Sequence, residues 1–135
     1  MATLWNDADR QALVTRLRSL TPEATAKWGR LNARGALAHL YDAVRMALGE
    51  LVVKPKKLPI RYPPLKQLII YVVPFPKGAP TAPELAALEG AVDRLVAKGA
   101  SASWPDHPAF GSLTHRAWGV LVYRHTDHHL RQFGH

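Results

Sequence analysis

Residues 114–134 have the sequence THRAWGVLVYRHTDHHLRQFG, and this stretch decides the fold. Thr114 is a good N-cap, and the apolar residues after it recur with the 3.6-residue period of an amphipathic helix. The charged residues Arg124 and Asp127 fall on the outer side of that helix. The inner side is lined by Trp118, Leu121, Val122, His125, His129, Gln132 and Phe133. The stretch therefore predicts a long helix that packs against other helices.

Two earlier helices can be placed from their capping residues. The first begins at Asn6, where Asp9 three residues later completes a capping box, and it ends before Pro22. The second runs from Asn32, a good N-cap, to Gly49, a good C-terminal stop. Both segments carry apolar residues at helical spacing, so we expect each to pack one face into a core.

A further helix is predicted from Thr81 to about Gly99. An N-cap residue, an early proline and the acidic residue of a capping box stand together at its start. Residues 50–80 form a long proline-rich connection, which suits a crossover along a bundle better than a tight turn. Within it, the β-branched run of residues 65–73 would suit a strand, whereas the two prolines just before it suit the start of a helix. We predict a short helix there. The sequence thus predicts an all-α four-helix bundle with a long crossover between helices 2 and 3, as a single domain over residues 1–135.

The composition indicates a globular protein that relies on no sulfur chemistry of its own. Hydrophobic residues make up 47% of the 135 positions and charged residues 21%, and cysteine is absent. A disulfide, a cysteine nucleophile and a thiolate ligand from this chain are therefore excluded. No signal peptide is visible, and the longest apolar run, residues 68–75, is too short to span a membrane. We expect a cytoplasmic protein with no membrane partner.

The net charge of +8 is concentrated in residues 51–80, which contain no acidic residue. A basic segment of this kind either serves as an adaptor for an anionic partner or is a solvated loop. The solvated loop is preferred, and nucleic acid is not expected as a partner, because no aromatic and basic recognition module accompanies the charge. The six basic residues of this segment are Lys54, Lys56, Lys57, Arg61, Lys66 and Lys77.

The inward face of the last helix carries two histidines at i and i+4, His125 and His129. Their side chains rise from one face about 5–6 Å apart, a distance at which two imidazoles can bind one ion. A metal would satisfy one ring nitrogen of each buried imidazole and leave the other free to donate a hydrogen bond. The alternative is a pair of core histidines held by neighbouring polar groups.

Periodicity leaves the role of His39 open. His39 lies almost opposite the apolar stripe of the second helix, among mostly small residues such as Ala36 and Ala43. Small neighbours would let another helix or a ligand come close. They would equally suit an exposed histidine on an ordinary surface.

Four segments together resemble a branch of unknown function within the DinB/YfiT-like metalloenzyme superfamily: residues 36–40, 74–83, 107–111 and 125–134. The resemblance spans nearly the whole chain, and its last segment is the most specific. It implies a four-helix bundle that holds a divalent metal on one histidine of the second helix and on the paired histidines of the last helix. The matching positions are His39, His125 and His129, whereas His128 corresponds to a position that is not a ligand.

The resemblance also implies a function, a metal-dependent enzyme of thiol transferase or hydrolase type. The metal would be zinc or nickel, with iron or manganese as alternatives. The substrate would be a small molecule, with a low-molecular-weight thiol as a second reactant. A bundle stabilised by metal without catalysis is the alternative. The sequence does not identify the catalytic residues. It also leaves open whether the protein forms a homodimer and whether Asp42 and His107 have roles beside the metal.

Overall fold

The computed structural model describes residues 1–52 and 85–135, and these stretches contain four α-helices and no β-strand. The predicted all-α fold is confirmed. None of these helices is long and apolar enough to cross a membrane. In chain order the helices are α1 (Asp7–Ser19), α2 (Ala33–Leu48), α3 (Leu85–Lys98) and α4 (His115–Gln132).

Most of the predicted crossover lies outside the described residues. This applies to the connection from residue 53 onward, to the short helix predicted at residues 65–73 and to the helix start predicted at Thr81. The end of the third helix is described: α3 ends at Lys98, and Gly99 follows with a φ of +76°. That end agrees with the stop predicted near Gly99.

The helix boundaries follow from the capping residues that the sequence contains. The side chains of Asn6, Asn32 and Thr114 each accept a hydrogen bond from the backbone N–H three residues later, at 3.0, 2.7 and 3.1 Å. Each bond satisfies one of the N–H groups that a helix start leaves without a partner. Gly49 ends α2 with a φ of +80°, a left-handed conformation that glycine adopts without strain.

The four helices pack around one core, in which each helix has two main neighbours. α2 packs against α3 and α4, and α1 also packs against α3 and α4. Consequently α1 and α2 lie diagonally across the bundle, and the loop that joins them must cross one of its ends. Leucine is the commonest residue of the core. Its largest side chains that are almost fully buried are Leu4, Leu13, Leu17, Leu40, Val44, Leu88, Leu95, Trp118 and Leu130.

The segment before α1 crosses α4 at Gly119. The backbone N–H of Leu4 donates to the carbonyl oxygen of Gly119 at 3.1 Å, and the indole N–H of Trp5 donates to the carbonyl oxygen of His115 at 2.8 Å. The Trp5 ring also stacks on the His115 ring, with centroids 4.3 Å apart. A Cβ atom at position 119 would overlap the Trp5 indole, so this crossing requires a glycine near the start of α4.

Candidate metal centre

Three histidine rings from two helices converge inside the bundle. His39 comes from α2, and His125 and His129 come from successive turns of α4. The Nε2 atom of His125 lies 2.8 Å from Nε2 of His39 and 3.2 Å from Nε2 of His129. Among the described residues these three form a group of ligand atoms that could hold a metal ion. The structure therefore brings together all three histidines predicted as ligands.

The position of His39 follows from the small residues around it. Ala36 and Ala43 are buried, with exposed fractions of 0% and 8%, so the helix face around His39 is covered by the bundle. α2 thus buries its leucine stripe and part of its alanine face in the same bundle. Of the two readings that the sequence left open for His39, the close approach of another helix is the one observed.

The inward face predicted for α4 is observed. His125 and His129 are only 8% and 4% exposed, and Trp118, Val122 and Gln132 are buried on the same helix. Two imidazoles one helical turn apart are thereby removed from water. In the protein interior, each of their nitrogens needs a hydrogen-bonding partner.

The three Nε2 atoms cannot all be paired by hydrogen bonds among the three rings themselves. The Nδ1 atom of His129 lies 2.7 Å from Oε1 of Gln132. Because that amide oxygen can only accept, Nδ1 of neutral His129 holds the proton and its Nε2 has a free lone pair. The Nε2 atom of His125 lies close to two other nitrogens, Nε2 of His39 and Nε2 of His129. Because it holds at most one proton, it cannot donate a separate hydrogen bond to each of them. A cation that accepts all three lone pairs resolves this conflict.

The geometry of the three rings fits a divalent ion. Two nitrogens bound at about 2.0–2.1 Å to one tetrahedral ion lie about 3.3 Å apart. The Nε2 atoms of His125 and His129 are 3.2 Å apart, close to this value, and those of His39 and His125 are somewhat closer together, at 2.8 Å. The rings are also edge-on to one another, with angles of 71° to 81° between their planes. One ligand nitrogen from each ring lies within 4.8 Å of the other two. The chemistry of the donor set fits a borderline-soft divalent metal.

Burial keeps the three imidazoles neutral. It lowers the pKa of His39 and of His129 to about 4, from an ordinary value of 6.5, because a charged ring would lose its hydration. The pKa of His125 is also lowered well below 6.5, first by burial and then by the neighbouring His39 and His129. Neutral imidazole is the form that binds metal, so all three rings are ready to act as ligands at neutral pH.

His128 lies beside the cluster without belonging to it. Its ring contacts the ring of His129 edge-on, with centroids 5.2 Å apart, and its side chain is half-buried. Burial lowers the pKa of His128, while the neighbouring Asp127 opposes this effect. That His128 is not a ligand stays a prediction.

Asp42 lies one turn after His39 on α2 and faces a cation on its own helix. Its carboxylate is 3.7 Å from the guanidinium of Arg45, and its side chain is 19% exposed. Burial raises the pKa of Asp42, and Arg45 partly offsets the rise. Arg45 is thus an ion-pair partner of the Asp42 carboxylate. A role for Asp42 beside the metal stays a prediction.

His107 closes a turn between α3 and α4. Its Nδ1 accepts hydrogen bonds from the backbone N–H groups of Ala109 and Phe110, at 3.0 and 3.2 Å, and its backbone pairs with Gly111. Burial lowers its pKa to about 4, so the ring is neutral and holds its proton on Nε2. His107 is near enough to His125 to lower the pKa of that residue. The turn is thus observed, and a contact with a substrate stays a prediction.

Gln132 is the residue of this site that sequence reasoning missed. The helical period places it on the inward face of α4, but the pattern gives it no role. The available signal was its spacing: a side chain three residues after His129 lies on the same face and reaches that ring. Ligand histidines commonly donate their second N–H to such an acceptor, which fixes the ring.

Comparison with known proteins adds a family and no named function. No curated protein matches the chain, and no solved structure does. The model of the family described as "Protein of unknown function (DUF1569)" matches residues 42–135. The match covers more than half of the chain and includes His125 and His129, whereas His39 precedes it. This chain belongs to the DUF1569 family of proteins of unknown function.

Proposed function

We propose that this protein is a metal-dependent enzyme in which His39, His125 and His129 hold one divalent ion. The observation that carries the proposal is the convergence of three neutral imidazole Nε2 atoms, with separations of 2.8 and 3.2 Å at His125. The four-helix arrangement and the distribution of the histidines over α2 and α4 support its assignment to the DinB-like superfamily. We also propose that residues 1–135 act as one domain, since α1 to α4 share a core.

The number of protein ligands supports catalysis over a purely structural role. Sites with three protein ligands leave a position for water or substrate, whereas closed structural sites use four. A divalent ion held here would supply Lewis-acid chemistry, making a water or thiol more acidic and polarising an electrophile. We propose zinc or nickel as the metal, with iron or manganese as alternatives, because three imidazoles accept several divalent metals.

The reaction that we propose is transfer of a low-molecular-weight thiol to an electrophile, or hydrolysis of a small substrate. The chain has no cysteine, so the thiol would have to come from a small molecule. Burial lowers the pKa of His39, His125 and His129, so these rings are neutral at physiological pH, the form in which imidazole binds a metal. The hydrogen bond from His129 to Gln132 fixes which nitrogen of that ring is free.

The test is an activity screen on metal-depleted protein that has been reloaded separately with zinc, nickel, iron(II) or manganese. Each form is assayed for conjugation of low-molecular-weight thiols to an electrophilic dye and for hydrolysis of activated esters. We expect turnover that needs a metal, is lost in His125→Ala and persists in His128→Ala. A metal that raises the melting temperature of the wild type without any turnover would instead support the structural role.

A further inference from the structure

The hydrogen bond between His129 and Gln132 sets the position of the proton on the His129 ring. Gln132 presents an oxygen to Nδ1, and therefore the proton of the imidazole lies on Nδ1 and the lone pair on Nε2. A glutamine amide has a donor side and an acceptor side of nearly the same shape. If the amide turned over, its NH₂ group would face Nδ1, and the proton of His129 would move to Nε2. That tautomer has no lone pair at the position where the three rings meet.

A glycine in the loop between α1 and α2 lies against the amide of Gln132. Gly29 has a φ of +86°, and a Cβ atom built on it would be 2.6 Å from Nε2 of Gln132. The obstructing atom is the end of a flexible side chain, so an added methyl group would displace the amide and leave the backbone in place. Gly29 therefore borders the nitrogen side of the amide, while His129 borders the oxygen side.

The loop that contains Gly29 is attached to the last turn of α4. The backbone N–H of Lys27 donates to the carbonyl oxygen of Gln132 at 2.6 Å. The side chain of Lys27 also lies over Gly134, where a Cβ atom would be 2.7 Å from its Cε atom. The contact follows from the topology, since α1 and α2 lie diagonally and their loop must cross an end of the bundle.

We propose that Gly29 and Gln132 are positioning residues for the metal centre, which hold His129 in the tautomer that exposes Nε2. The loop between α1 and α2 thereby controls a ligand on α4. The effect on metal affinity rests on the proposed function. The tautomer of His129 is a property of the metal-free chain and can be tested even if no metal binds.

Gly49 offers a matched control for Gly29. The two glycines have nearly equal φ values, +80° and +86°, but a Cβ atom at Gly49 would meet nothing within 4 Å. Gly29→Ala and Gly49→Ala therefore introduce the same left-handed strain, and only the first displaces Gln132. A second matched pair is Gln132→Glu, which retains an acceptor for Nδ1, and Gln132→Leu, which removes it.

The experiment measures the ¹⁵N chemical shifts of Nδ1 and Nε2 of His129 in metal-free protein, and zinc affinity by competition with a chelator. We expect Gly29→Ala and Gln132→Leu to populate the tautomer protonated on Nε2 and to weaken zinc binding about tenfold. Gly49→Ala and Gln132→Glu should retain the proton on Nδ1 and stay within about twofold of the wild-type affinity.

Two results would overturn the proposal. One is an unchanged tautomer and an unchanged affinity in Gln132→Leu, which keeps Gly29 intact and so tests Gln132 directly. The other is an equal loss of affinity in Gly29→Ala and Gly49→Ala, which would assign the effect to backbone strain. A wild-type chain that shows the Nδ1 tautomer but binds no zinc would refute the proposed function and leave the positioning role of Gln132 supported.

Discussion

The Nε2 atom of His39 lies 2.8 Å from the Nε2 atom of His125, although the two residues are 86 positions apart in the chain. The contact exists because α2 packs against α4, whose inward face carries the buried His125 and His129. An unfolded chain would have no such group of nitrogens. Metal binding and folding are therefore expected to be coupled.

Metal-free protein should lose stability as the pH falls from about 6.5 towards about 4. Burial lowers the pKa of His39, His107 and His129 to about 4, whereas in the unfolded chain it would be near 6.5. In this window the unfolded chain binds more protons than the folded one. The free energy of unfolding should then decrease by up to about 1.4 kcal/mol per pH unit for each group.

Urea unfolding in the presence of a chelator, at about pH 7 and at about pH 4.5, measures this effect. The midpoint should shift to lower urea at the acidic pH. Equal midpoints at the two pH values would show that these rings are not buried as neutral groups.

Gly119→Ala should destabilise the protein by about 1–3 kcal/mol, because the new methyl group would overlap the Trp5 indole inside a packed crossing. Gly90→Ala in α3 is the matched control, since a Cβ atom there meets only the end of the Arg94 side chain, at 3.9 Å. The control should gain up to about 1 kcal/mol from helix propensity. Chemical denaturation of both variants gives the comparison, and similar stabilities for the two would contradict the crossing.

The capping residues and the inward face of α4 were predictable from the sequence because they are local. The bonds at Asn6, Asn32 and Thr114 involve residues three positions apart, and the burial of His125 and His129 follows from the helical period. Each of these features depends on one helix at a time, and a periodic pattern describes one helix.

The role of His39 was not predictable from periodicity, because α2 packs against both α3 and α4 and so buries more than its leucine stripe. His39 was predicted as a metal ligand only from the resemblance to a family. The contact of Gly29 with Gln132 depends on a loop that crosses the bundle diagonally, and no pattern within one segment contains that information.

The basic segment is not expected to contribute to the metal centre. Replacing Lys54, Lys56 and Lys57 together with glutamine should leave the metal content and the helical circular dichroism signal unchanged. Filter binding to nucleic acid at several salt concentrations tests the adaptor alternative. Tight binding by the wild type that falls steeply with salt and is lost in the triple variant would support an anionic partner instead.

The metal content of single-histidine variants tests the central claim most directly. Untagged wild-type protein and the variants His39→Ala, His125→Ala, His129→Ala and His128→Ala are equilibrated with zinc, desalted and measured by elemental mass spectrometry. We expect about one ion per chain in the wild type and in His128→Ala, and loss of most of the metal in each of the other three. Full retention of zinc in His39→Ala would contradict a site shared by α2 and α4.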